Sequence, residues 1–151
     1  FERHRRPAHY HPVNSAWRRE SMEGSGVVRV TLVIAIALIT VGLLGYAWSG
    51  YAATTALIPA FFGVPVLVLG LLARQERWRR HAMHAALLVT LLGVLGAAPM
   101  AARGWAAAAR GETVERPVAL AVQSAMTVLC LAHLGLGINS FIAARRKPAS
   151  A

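Results

Sequence analysis

Aspartate does not occur in this chain, lysine occurs once (Lys147) and cysteine once (Cys130). A lone cysteine rules out an intramolecular disulfide and any thiolate cluster built within the chain, and it leaves the redox compartment unread. Only 15% of the residues are charged, against roughly 25% in soluble domains. Water is therefore not the solvent of most of this sequence. With its one lysine in the C-terminal tail and no glycine-rich loop beside it, the chain has no cradle for a nucleotide's phosphates.

What is abundant is apolar: 56% of the 151 residues are hydrophobic and the mean hydropathy is +0.50. A membrane-spanning helix needs about 20 predominantly apolar residues, because backbone polar groups must be paired within hydrocarbon. Four runs meet that length, at about 27–48, 52–73, 81–102 and 117–144. The first is longer than a signal-peptide core and reads as a true span, although Ala47 and Ser49 loosely resemble a cleavage site. The link Ser49–Gly50–Tyr51 is so short that the first two spans form an antiparallel hairpin. Pro117 suits the first turn of the fourth, where its missing N–H costs nothing. The expected fold is all-α, an integral membrane bundle of four transmembrane helices. A basic N-terminal arm at 1–26, punctuated by Pro7 and Pro12, should be extended, and 148–151 is a short tail.

The charges that remain are arranged by side. Thirteen of the sixteen basic residues fall in the N-terminal segment through Arg29, the turn Arg74–Arg80 and the tail from Arg145; only Arg103, Arg110 and Arg116 lie on the other side. Lysine and arginine near span ends are retained in the cytoplasm, so both termini should be cytoplasmic and the membrane the cell's inner one. Glutamates reduce the inner total to about nine net charges and the outer to about one, so the net charge of +10 is mostly an orientation signal. It also favours anionic lipid headgroups, with Arg5, Arg6, Arg18, Arg19, Arg77, Arg79, Arg80, Arg145 and Arg146 as contacts to lipid or partner. Nucleic acid is not an expected partner.

All six carboxylates lie outside the four apolar runs. Ion-coupled transporters place ionisable groups near the midplane, and hydrolases need a carboxylate beside histidine and serine. Neither set can be gathered here, so no catalytic residues are assigned. His133 is the one ionisable residue well inside a run, ten residues or about 15 Å from the end of span four taken at Ala143. Three roles compete for it: a hydrogen bond to a hydroxyl, amide or carbonyl on another helix, axial ligation of a haem or chlorophyll-type pigment, or proton transfer. His84 is a second candidate ligand, sharing a face with His81 near the basic boundary, where headgroup contact is the simpler role. By the same rise it lies about 10 Å shallower than His133, which disfavours one haem held by both. His4, His9 and His11 in the arm lack the companion ligands of a metal site.

Span four carries a polar and small-residue stripe, Gln123, Met126, Thr127, Cys130, His133, Gly137 and Ser140, within an arc of about 140°. Such a face packs inward or onto a partner. Gly42, Gly45, Gly63, Gly70, Gly93 and Gly96 repeat the small-residue theme in the other spans. Pro59 and Pro65 should kink span two. Trp105 and the run Ala106–Ala109 should form a separate short helix at the membrane interface.

These features favour a non-catalytic accessory or scaffolding subunit of a larger cytoplasmic-membrane complex, with respiratory and photosynthetic assemblies as host classes. Its partners would be other membrane subunits and anionic lipids, and no cofactor is expected. The alternatives are a haem- or chlorophyll-binding protein using His133, and a small oligomeric channel or carrier.

Overall fold

The computed structural model describes the backbone of residues 13–146 and the side-chain surroundings of residues 26–143. Helix α1 spans Val13–Trp48, a 3-10 turn Thr54–Leu57 leads into α2 at Ile58–Leu72, α3 spans Glu76–Ala109 and α4 Pro117–Arg146. Four segments, Gly26–Trp48, Thr54–Leu72, Glu76–Ala109 and Pro117–Ala143, are long and apolar enough to cross a membrane. The protein is an all-helical, multi-pass membrane four-helix bundle.

Each helix packs on its successor and α4 returns to α1, so the bundle closes as a ring. One end gathers Val28, Ala73, Ala82 and Met83, joining the basic end of α1 to the α2–α3 link. At that end the His84 ring also lies 4.8 Å from the Phe141 ring of α4. All the arginine-rich segments of the described residues thus share one end of the bundle.

The opposite end is closed by backbone geometry. α1 stops where Gly50 (φ +67°) turns left-handed; its N–H bonds Ala47 O and that of Tyr51 bonds Tyr46 O, both at 3.1 Å. α3 stops in the same way at Gly111 (φ +75°), with Gly111 N bonding Ala108 O at 3.0 Å and Glu112 N bonding Ala107 O at 3.1 Å. These paired reverse bonds satisfy carbonyls that a helix end leaves open, and glycine enters the left-handed region without a Cβ clash.

The tightest seam is α1 on α2. A Cβ built on Gly42 would stand 2.6 Å from Ala60 N, and one on Gly63 would stand 2.9 Å from Ala35 O and 3.0 Å from Ile39 N. Only hydrogen fits at either place, and the close approach supplies the dispersion contact that substitutes for a hydrophobic drive in lipid.

Three details depart from expectation. From Val13 onward the arm is not extended but prolongs α1. Ala16, Arg18, Arg19, Glu20, Met22 and Glu23 are good helix formers, and lengthening an existing helix needs no new nucleus. Arg5, Arg6 and the three arm histidines lie outside the described residues, as do Lys147 and the tail. Ala106–Ala109 is not a separate interfacial helix but the end of α3, since alanine is the strongest helix former and nothing before Gly111 stops propagation. Pro59 falls in the first turn of α2, where no bond is lost, so only Pro65 sits inside that helix; α3 carries a second internal proline, Pro99.

Candidate functional site

Two features could carry function, and they occupy opposite halves of the bundle. The first is a polar knot in the basic half. His133 is fully buried, with Nε2 3.0 Å from Thr31 Oγ1 of α1 and Nδ1 3.3 Å from Thr90 Oγ1 of α3. Both threonines are buried too, and each hydroxyl is also within reach of a carbonyl one turn back: Val27 O at 3.0 Å for Thr31, Ala86 O at 3.1 Å and Leu87 O at 3.0 Å for Thr90. Met83 Sδ lies 3.9 Å from Thr31 Oγ1.

A neutral imidazole offers one donor and one acceptor. One threonine therefore receives the ring N–H and keeps its own bond to the helix carbonyl behind it, while the other turns its hydroxyl toward the ring. Every member has a partner, and no buried side-chain nitrogen or oxygen among the described residues is left unpaired. Chemically the knot is a three-helix clasp. Axial ligation by His133 would require one ring nitrogen to abandon its threonine. Thr31 sets the depth: it stands two residues, or about 3 Å, from the exposed Arg29. The imidazole lies closer to the basic face than its place in α4 alone suggests.

Around this knot the predicted stripe of α4 turns into the bundle. Met126, Cys130, His133 and Gly137 are buried, and Gln123, Thr127 and Ser140 are half-buried. Met126 and Cys130 pack with Ile34, Leu38 and Ala97, and the hydrogen of Gly137 faces Leu87.

His84 lies elsewhere. Its ring is exposed, Nδ1 is 2.7 Å from Arg80 O, and the ring leans on Phe141. The structure does not bring it to His133. Arg79 reaches Glu76 at 3.6 Å, and the Arg77 guanidinium lies 5.9 Å from the centre of the Trp78 ring. Arg80 is exposed beside them. Arg18, Arg19, Arg145 and Arg146 belong to the backbone of α1 and α4 at this same end, but their side chains lie outside the described residues.

The second feature is a cavity of about 660 Å³ in the other half, between α2, α3 and α4. Its floor is Phe62, Gly93 and Met126, its walls are small (Gly96, Ala97, Ala107, Ala119), and its mouth carries Arg103, Glu112, Thr113, Glu115 and Arg116. None of Thr31, Thr90 and His133 lines the cavity, whose floor comes closest to the knot along α3, where Gly93 stands three residues or about 4.5 Å from Thr90. Trp105, beside the mouth, donates its indole N–H to Ser124 Oγ at 2.9 Å and ties α3 to α4 there.

Thr31 and Thr90 were not singled out from sequence. The only signal was that each is a hydroxyl inside an apolar run, a property Thr40 shares without any cross-helix bond, since it only returns to Ile36 O. Among the described residues no group of three or more histidine, cysteine or acidic side chains is close enough to hold a metal. No protein-family model, curated protein or solved structure matches this chain.

Proposed function

We propose that this chain is a non-catalytic accessory subunit of a larger complex in the cytoplasmic membrane, with both termini on the cytoplasmic side. The observation that carries the reading is the Thr31–His133–Thr90 clasp, which spends the one buried histidine among the described residues on holding three helices together. A group used this way supports rigidity rather than turnover. The cavity ends before reaching the clasp, which favours a packing or binding role over a conduit. The concentration of arginine at one end supports the orientation and an attachment to anionic lipid or an acidic partner. Respiratory and photosynthetic assemblies are the host classes this reading favours.

The test is native electrophoresis and native mass spectrometry on mildly solubilised source membranes. The expected result is migration in one defined assembly with stoichiometric membrane partners, together with loss of that assembly when the chain is deleted. A lone monomer whose deletion leaves every membrane complex intact would overturn the reading. The same sample gives its absorption spectrum. A visible band lost in His133→Ala would replace this reading with pigment or haem ligation.

A further inference from the structure

We propose that the cavity opposite the clasp is a binding site for an anionic lipid, whose acyl chain occupies the cleft and whose carboxylate or phosphate is held at the mouth by Arg103 and Arg116. The proposal stands on three observations.

The hollow has the size and character of a site. Its volume of about 660 Å³ falls within the ~300–1,000 Å³ of ligand cavities. From Arg103 at the mouth to Gly93 at the floor is ten residues of α3, about 15 Å of depth walled mainly by apolar side chains and backbone, with Gln123 and Thr55 the polar side chains along it. α2 and α4 lie across the ring from one another and meet over only a short stretch, which leaves space between them at this end of the bundle.

Close contacts on α3 bound the hollow on either side. On the same helix a Cβ at Gly93 would meet Cys130 Sγ and Met126 Cε at 3.2 Å, and one at Gly104 would meet Leu120 Cδ1 at 2.5 Å. Gly96, between them, is exposed and lines the hollow, and a Cβ there would meet nothing within 4 Å.

The charge at the mouth selects the head group. Arg110 holds Glu112 through Nε at 2.6 Å and Nη2 at 3.3 Å, which neutralises that carboxylate. Among the described residues Arg103 and Arg116 have no carboxylate partner, so two guanidinium groups face one remaining acid, Glu115. Guanidinium forks recognise carboxylate and phosphate oxygens in two-point fashion. An apolar chain below and a surplus of guanidinium above match an anionic amphiphile.

The test uses the full chain in phosphatidylcholine vesicles carrying a trace of diazirine-bearing palmitic acid in one arm and diazirine-bearing phosphatidylglycerol in the other. After irradiation, adducts are mapped by peptide mass spectrometry. The expected result is labelling concentrated on Phe62, Met100 and Met126. It should fall at least fivefold in Gly96→Phe, which fills the hollow. It should fall at least threefold in Arg103→Gln/Arg116→Gln, a change that leaves the hollow intact and covers the case in which Gly96→Phe fails to fold. Gly135→Phe, on the exposed side of α4 where a Cβ also meets nothing, should label as the unaltered chain does. Labelling in one arm only identifies the head group as free carboxylate or phosphodiester. Adducts spread evenly over the lipid-facing surface and insensitive to both cavity variants would reduce the hollow to a contact with bulk lipid and overturn the proposal. So would absence of cavity adducts in both arms, the result expected if a partner's side chain is the natural occupant.

Discussion

The two halves of this bundle are built from the same kinds of residue and solve opposite problems. Toward the arginine-rich end, three helices converge on one imidazole and every polar atom there has a partner. Toward the other end, α3 and α4 present glycine and alanine where the first half presents threonine and histidine, and space opens between the helices. Small residues thus have two consequences in lipid. Where two backbones meet over them, as at Gly63 on Ala35 and Ile39, they make a seam; where the facing helix stays away, as at Gly96, they make a hollow.

That contrast can be broken most severely at the seam. Gly63→Leu forces a side chain against Ala35 O and the Ile39 backbone, which cannot yield as a flexible side chain would. We expect it to cost more than about 3 kcal/mol, the upper range for overpacking, measured as the shift in detergent-titrated unfolding followed by circular dichroism. An unchanged midpoint would show that α1 and α2 are not so closely apposed.

His133→Ala comes next. It leaves a void and two threonines without their shared partner, with an expected loss of about 2–3 kcal/mol in the same assay. Less than 1 kcal/mol of loss would mean that the clasp is not what joins α1, α3 and α4. Thr90→Val keeps the volume and removes one hydroxyl, for about 0.6–1.5 kcal/mol. The effect should vanish in a His133→Ala background, a double-mutant cycle that isolates the bond itself.

The smallest effect sharpens the comparison from the other side. Gly96→Ala adds a methyl to open space and raises helix propensity, so stability should stay level or rise by up to about 1 kcal/mol. Destabilisation beyond 1 kcal/mol would show that the hollow is closed in the membrane.

Much of the architecture was legible because the bilayer dictates it. Hydrocarbon admits few solutions for a backbone, so four long apolar runs and the short Ser49–Gly50–Tyr51 link were enough to specify an antiparallel helical bundle. The inward face of α4 was legible too, since Met126, Cys130, His133 and Gly137 recur at helical spacing. What sequence periodicity cannot carry is register between helices. Thr31 sits almost beside Arg29 in sequence, while Thr90 and His133 lie deep in their own runs, and only the packed bundle shows that all three meet. The hollow was hidden for a related reason. Gly93, Gly96 and Gly104 look alike as letters, and the residue opposite each one decides whether it packs or leaves a gap. At Val13–Gly26, charge and two prolines upstream suggested an extended arm, but the ease of prolonging α1 prevailed.

The short helix α2 carries a consequence for the membrane this protein can inhabit. Its α-helical part has 15 residues, covering about 22 Å, and the preceding four-residue 3-10 turn adds about 8 Å at its steeper rise. Together they reach about 30 Å, the average thickness of a bilayer's hydrocarbon, with nothing left for tilt. α3 and α4 have turns in reserve and tolerate a thicker bilayer by leaning. α2 cannot lean without drawing Arg74 or the Thr54–Thr55 hydroxyls inward, so it is the element that makes the bundle sensitive to hydrophobic mismatch and sorts it toward membranes of ordinary or thinner width.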